Sequence, residues 1–374
     1  MVHKEKQSEE VGKIPVELRP NFTVLNRYAE MAGVSTEDLY RYASKIIRIK
    51  NMIVVVTDSK EDVSELGASV LRNQIKSKPD TRLILPTGRT PMGTYRRLVE
   101  MYQQGEISFR DVVAQNLDEY EISRENLEAV LRPGERIDKD NHVWRANKDI
   151  SDEVISRIPW SYHAFMDDNL YGTSENPKID IKRENIHVPN GATKRLEEHC
   201  AETEARVRQG VDIAVLGIGQ MEVDELPADD IKFDAFGHIG FNEPGSARSS
   251  LTRRVRLREK TRRDNADLFL EDNERVGKDG RFYRSGKDIT DEVMTRVPTH
   301  AVTLGVSTII DNSERIMLLV YGKNKAPALR FSLEEKPSER GSASYIQEHD
   351  RVLVIVDKEA AALLKTPASW EKSS

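Results

Sequence analysis

The sequence predicts an α/β fold: a Rossmann-like, doubly wound, mostly parallel sheet with helices on both faces, plus inserted accessory elements. Three observations predict it. Short β-branched runs such as Met52-Ile-Val-Val-Val-Thr57 alternate along the chain with helical stretches, and strands joined through helices form parallel sheets covered on both faces. The motif-bearing loops fall just after those runs, where such sheets bind ligands. The 374 residues are 38% apolar and 32% charged with a net charge of −6, too apolar for a disordered chain and too polar for a membrane protein.

Taken in order, residues 1–20 are polar and expected to fray. From Asn21 to about Arg48 apolar residues suggest helix, broken around Ala32-Gly33-Val34, with Ser35 capping the second piece. Strands are expected at 52–57, 81–86 and 111–117, with helices over 60–77 and 94–104 between them. Later strands are expected at 211–216, 301–305, 315–321 and 351–357. This divides the chain into an N-terminal helical extension (1–50), an α/β domain (51–360) with inserts at about 133–160, 220–235 and 270–298, and a tail (361–374). Residues 135–159 align without a gap to 274–298, with 13 of 25 positions identical. Each copy reads as strand, tight turn, strand and a helix capped at Ser151 or Thr290. Two copies are too few for a solenoid, so this is a duplicated accessory element that could line a site mouth as a lid, contact another subunit or decorate the surface.

Composition also excludes function classes. No segment approaches the ~18 uncharged apolar residues of a membrane span, and the start lacks the apolar core of a signal peptide. A lone cysteine, Cys200, excludes an internal disulfide and points to a reducing, cytoplasmic location. The acidic balance argues against a broad nucleic-acid-binding face, and a helix-turn-helix reading of 21–48 lacks basic flanks. No Cys, His and carboxylate grouping has metal-ligand spacing, and Gly217-Ile-Gly219 lacks the third glycine of a dinucleotide fingerprint. No cofactor is expected.

Four segments carry chemistry. Leu85-Pro-Thr-Gly-Arg-Thr-Pro-Met-Gly93 is a strand-to-helix loop whose amides and helix N-terminus suit an anion, with Thr87, Gly88, Arg89 and Thr90 at its centre. Gln115-Asn-Leu-Asp-Glu-Tyr120 places paired acids after a strand. Phe236-Gly-His-Ile-Gly-Phe-Asn-Glu-Pro244 sets a histidine five positions before a glutamate, a possible acid/base unit. Tyr321-Gly-Lys-Asn-Lys-Ala-Pro327 places a lysine beyond a strand end.

In that order the four segments resemble the glucosamine-6-phosphate isomerase/deaminase family, which is related to the 6-phosphogluconolactonases. Supporting matches are Ser161-Tyr-His-Ala-Phe-Met166, Glu184-Asn-Ile-His-Val-Pro-Asn-Gly191 and His300-Ala-Val-Thr-Leu-Gly-Val306. The resemblance covers about residues 52–357, and Asn242-Glu243-Pro244 favours the deaminase branch. It implies conversion of glucosamine 6-phosphate and water to fructose 6-phosphate and ammonia. It also implies His238 and Glu243 in ring opening, Asp118 as the base that moves a proton between C2 and C1, and Lys325 with the 87–90 loop as phosphate binders. A sugar phosphate is the expected partner, and a homo-oligomer the expected assembly. Three positions depart from the family pattern. Phe236 stands where the family has an aspartate, after an acidic segment (220–235) containing Asp234. Asp267 stands where the family has a phosphate-binding arginine, and Arg89 replaces a glycine of the cradle. These departures leave open an isomerase or lactonase for another sugar phosphate, or a non-catalytic sensor.

Overall fold

The computed structural model describes residues 19–219, 237–270 and 290–372. Its strands are β1 (Ala43–Ile49), β2 (Met52–Thr57), β3 (Arg82–Leu85), β4 (Val113–Asn116), β5 (Asp118–Tyr120), β6 (Glu135–Ile137), β7 (Val143–Arg145) and β8 (Lys148–Asp149). They continue as β9 (Ile186–His187), β10 (Val211–Leu216), β11 (Arg253–Arg256), β12 (His300–Thr303), β13 (Ser313–Val320), β14 (Val352–Asp357) and β15 (Ala368–Glu371). Nine of them form one sheet in the order β15-β1-β2-β14-β13-β10-β3-β4-β9. The strands from β2 to β9 in that order run parallel, and β1 is antiparallel to β2.

The apolar runs explain this layering. Successive strand side chains point to opposite faces, so a fully apolar strand feeds two cores at once. Ile53 and Val55 of β2 pack in one core with Val63, Leu66 and Leu98 from helices Lys60–Ser77 and Met92–Gln103. Met52, Val54 and Val56 pack in the other with Ile309 and Leu329 from helices Val306–Asn312 and Ala326–Glu334. Helix Lys60–Ser77 is capped by Ser59, whose hydroxyl accepts the Asp62 amide. From β3 the chain steps outward through β4 to β9, then returns at β10 and steps the other way through β13 to β14. The order reverses between β3 and β10, and ligands of doubly wound sheets bind at that point.

Several expectations need correction. Residues 43–49 are strand, where a helix to Arg48 was expected; Ser35 does cap helix Thr36–Tyr42, but the chain then turns through Lys50 at φ 55 to pair β1 with β2. The β-branched run Ile46, Ile47 and Ile49 satisfies both periods over so short a stretch, and pairing with β2 decides between them. The tail pairs too, β15 with β1, and Trp370 on it is buried at 8% exposure. The strand expected at 301–305 lies outside the main sheet: β12 pairs antiparallel with β5 and β11 in a three-stranded sheet. That small sheet carries its own core of Tyr120, Tyr162, Phe241, Phe269 and Val293.

The first accessory copy forms β6, β7 and β8 followed by helix Ser151–Ile155. Ser151 begins that helix rather than capping it. Its hydroxyl donates to Asp149 (2.7 Å) and accepts the Val143 amide (2.9 Å), tying strand to helix. Glu135 is held by Arg157 at 2.7 and 3.0 Å and also pairs with Arg145. The second copy has the same residue types at 274, 284 and 296, so the identities fall on this ion-pair hub. In that copy Thr290 caps helix Asp291–Arg296 as expected; residues 274–289 lie outside the described ones.

Candidate active site

A cavity of about 780 Å³ opens beyond the carboxyl ends of β3, β4, β10 and β13. Its floor begins with the loop after β3. Thr87, Gly88, Arg89 and Thr90 all line it, with Gly88 at φ +100, a conformation that costs a side-chain-bearing residue strain. Helix Met92–Gln103 starts there with no side chain bonded to its first amides. Those unpaired N–H groups and the helix dipole favour an anion. Arg89 points instead across the mouth to an ion pair with Asp267 on the segment Ala266–Phe269, while the Tyr321 hydroxyl donates to the Arg89 carbonyl at 3.0 Å.

Asp118 lies where the chain changes sheets. Leu117 donates to Leu85 of β3 and its carbonyl accepts the Leu304 amide beside β12, so the next residue emerges into the cavity. Asp118 is buried at 3% exposure. Burial, then the charge of Glu119, push its carboxyl up to about 7, against a Thr87 hydroxyl at 3.4 Å and the Phe241 amide, which pull it down. Burial favours the neutral form and a neighbouring anion adds to that.

His238 follows Gly237 on the loop that faces the end of β10. Its Nδ1 lies 2.6 Å from the Gly240 carbonyl, an oxygen that only accepts, so Nδ1 carries the proton and Nε2 keeps its lone pair. Burial holds the imidazole below its usual range, with Glu243 opposing that and Lys325 adding to it. A Cβ on Gly219 would stand 2.3 Å from Nε2; glycine there lets the ring lie flat against the end of β10. Glu243, 8% exposed, is steadied by the Arg258 amide at 3.2 Å. Lys325 donates to the Ile218 carbonyl at 2.7 Å, and burial lowers its ammonium to about 8.

All eight residues singled out in the sequence line this one cavity. Phe236 and Asp234, at which the sequence departs from the family pattern, lie outside the described residues. Two features were missed. Trp160, the residue after the first accessory copy, adds an aromatic wall, 5.0 Å from Phe269 and 6.3 Å from Tyr120 between ring centroids. Behind β5, His163 pairs with Glu119; the adjacency of Asp118 and Glu119 was the signal, although strand alternation sends them to opposite faces. Among the described residues no group of three or more His, Cys, Asp or Glu is arranged to hold a metal ion, and no helix is long and apolar enough to cross a membrane.

No protein-family model matches the chain. Curated relatives do. A glucosamine-6-phosphate deaminase of Thermoanaerobacter sp. (strain X514) is 34% identical over 84% of this chain and 95% of its own length. One from Clostridium botulinum (strain Alaska E43 / Type E3) is 35% identical over 84% and 97%, and a glucosamine-6-phosphate isomerase of Candida albicans 32% identical over 82% and 97%. Among solved structures, a monomeric glucosamine-6-phosphate deaminase matches with a TM-score of 0.60 at 33% identity, covering 83% of this chain and 99% of that one. The devB protein, at 14% identity and a TM-score of 0.52, shares the fold. At such identity across nearly the whole length of its relatives, the chain belongs to the glucosamine-6-phosphate isomerase/deaminase family.

Proposed function

We propose that this protein converts glucosamine 6-phosphate and water to fructose 6-phosphate and ammonia, with Asp118, His238 and Glu243 as its catalytic residues. The observation that carries the reading is one cavity lined by a buried carboxyl, an imidazole with Nδ1 committed to a carbonyl, and anion-binding groups. The phosphate sits on the Thr87-Gly88-Arg89-Thr90 loop and Lys325. His238 Nε2 takes the proton of the anomeric hydroxyl and returns one to the ring oxygen, opening the ring, with Glu243 favouring the transient imidazolium. Asp118 then removes the C2 proton, leaving an enolamine, and returns it at C1. The resulting imine carbon takes up water and releases ammonia. A carboxyl near 7 suits a group that must both accept and return a proton.

Ammonia release coupled to fructose 6-phosphate detection tests this. Turnover by the native chain, abolished in Asp118→Asn and His238→Ala, is the expected result; thermal stabilisation by glucosamine 6-phosphate without ammonia release overturns it. A homo-oligomer and a cytoplasmic location belong to the same proposal, the first supported by the extra surface of the inserts and the second by the lone Cys200. Light scattering and cell fractionation test them.

A further inference from the structure

His163 has no place in the reaction above, yet it is buried and wedged between two carboxylates. Its Nδ1 lies 2.8 Å from Glu119 Oε2. Its Nε2 makes no hydrogen bond and lies 3.4 Å from Asp152 Oδ1. Glu119 is fully buried behind β5, one residue from Asp118 but on the opposite face of the strand. It accepts the amides of Tyr120 (2.8 Å), Tyr162 (2.9 Å) and His163 (3.0 Å) as well as the imidazole. Four donors on two oxygens is the pattern a carboxylate, and not a carboxylic acid, satisfies. Asp152 comes from the helix of the first accessory copy, and its side chain is 70% exposed. The insert therefore touches, through one imidazole, the carboxylate that backs the proposed base.

We propose that His163 is a positioning residue for the reaction: clamped between Glu119 and Asp152, its imidazolium sets the electrostatic environment in which Asp118 takes and returns its proton. The inference rests on the reading of Asp118 as the base. Charge and hydrogen bonding agree with it. Burial disfavours the imidazolium, but Asp152 and Glu119 outweigh burial and hold it at about 9, so the ring stays charged through neutral pH. Glu119 raises the Asp118 carboxyl, and a fixed cation behind Glu119 tempers that rise. Two other titratable groups among the described residues bear on this clamp: His187 of β9, which burial lowers to about 4, and His199, from helix Leu196–Val207. Its Nε2 accepts the Asn190 amide at 2.9 Å, and burial with the nearby Arg206 keeps it below its usual range, so it adds no competing charge. The duplicated element thereby carries a solvent-facing carboxylate whose charge reaches the active site through a single side chain.

The signs of two substitutions test this. His163→Gln keeps a donor for Glu119 but removes the cation; Asp152→Asn keeps the side chain's shape but removes one of the two anions that hold the cation. The pH profile of kcat for ammonia release is measured for both. In His163→Gln the acid limb moves up by about one pH unit, the scale of losing a unit charge inside the protein. In Asp152→Asn the imidazolium loses one of the two carboxylates that hold it charged, so the limb moves up as well, by roughly a few tenths of a pH unit, since Glu119 still holds the ring. Upward shifts in both, the larger in His163→Gln, support the proposal. Unmoved limbs, or a downward shift in either variant, overturn it and leave His163 a structural residue, whatever happens to the melting temperature. Asp118→Asn separates the two readings: if it retains turnover the base assignment fails, and if it is dead while the limbs stay put only the role of His163 fails.

Discussion

At the residue scale, the most informative group is Asp118, because the same burial that suits it to the proposed proton transfer works against folding. Its carboxyl ordinarily ionises near 3.8 and here does so near 7. The raised value means the folded state resists ionisation, so its destabilising effect is absent below pH 3.8 and complete above 7. Asp118→Asn should therefore abolish turnover and yet raise stability by roughly 2–4 kcal/mol at pH 8. The gain in melting temperature should shrink as pH falls from 7 toward 4; a pH-independent difference would refute this origin. The kcat/KM profile follows from two residues. It rises through about 7 as Asp118 ionises and falls above about 8 as free Lys325 loses its proton, and Lys325→Arg should push the alkaline limb upward because guanidinium stays charged. Gly219→Ala should lower kcat by about 100-fold or more, since its methyl would occupy the space of the His238 ring.

At the element scale, the loop after β3 and the segment Ala266–Phe269 exchange charge relative to the family pattern. Taken singly, a carboxylate at Asp267 would repel a phosphate and a guanidinium at Arg89 would attract one. The two are joined as an ion pair across the cavity mouth. Arg89 is 67% exposed and Asp267 28%, and such a pair contributes only about 0–1 kcal/mol to stability, so an arriving phosphate can compete for the guanidinium. Asp267→Asn should lower KM for the sugar phosphate a few-fold with kcat little changed. Arg89→Ala should raise KM by roughly tenfold, the value of a charged hydrogen bond. Steady-state kinetics at two ionic strengths would check both, and an unchanged KM in Arg89→Ala would remove that residue from the phosphate site. The duplicated element was legible because its hub residues, Glu135, Arg145 and Arg157, recur at fixed spacing. Its link to His163 was not, since Asp152 and His163 lie in separate local patterns.

At the scale of the whole molecule, the sheet is extended at one edge by two strands far apart in the chain. β1 and β15 add two strands outside β2, and Trp370 seals the junction. Trp370→Ala should cost about 3–5 kcal/mol of stability, read by urea unfolding, with kcat untouched because the cavity lies at the reversal point, several strands from this edge. A loss of activity in the folded variant would contradict that separation. The crossover from β2 to β3 and the return at β10 put the Thr87 loop, Gly219 and Tyr321 around one opening, although they are spread over more than 200 residues.

By itself the sequence determined the fold class, the family and the eight residues of the proposed site. Strand runs apolar on both faces admit few arrangements, and loops beyond such strands are where binding groups gather. Only the tertiary structure decided that residues 43–49 are an edge strand, that β12 belongs to a separate sheet, that Arg89 pairs with Asp267, and that His163 stands behind the proposed base. Each depends on a partner distant in the chain: β2 for β1, β5 for β12, Asp267 for Arg89, Glu119 and Asp152 for His163. Local periodicity reports which face of an element is buried; what lies against that face, and with what charge, is set by packing.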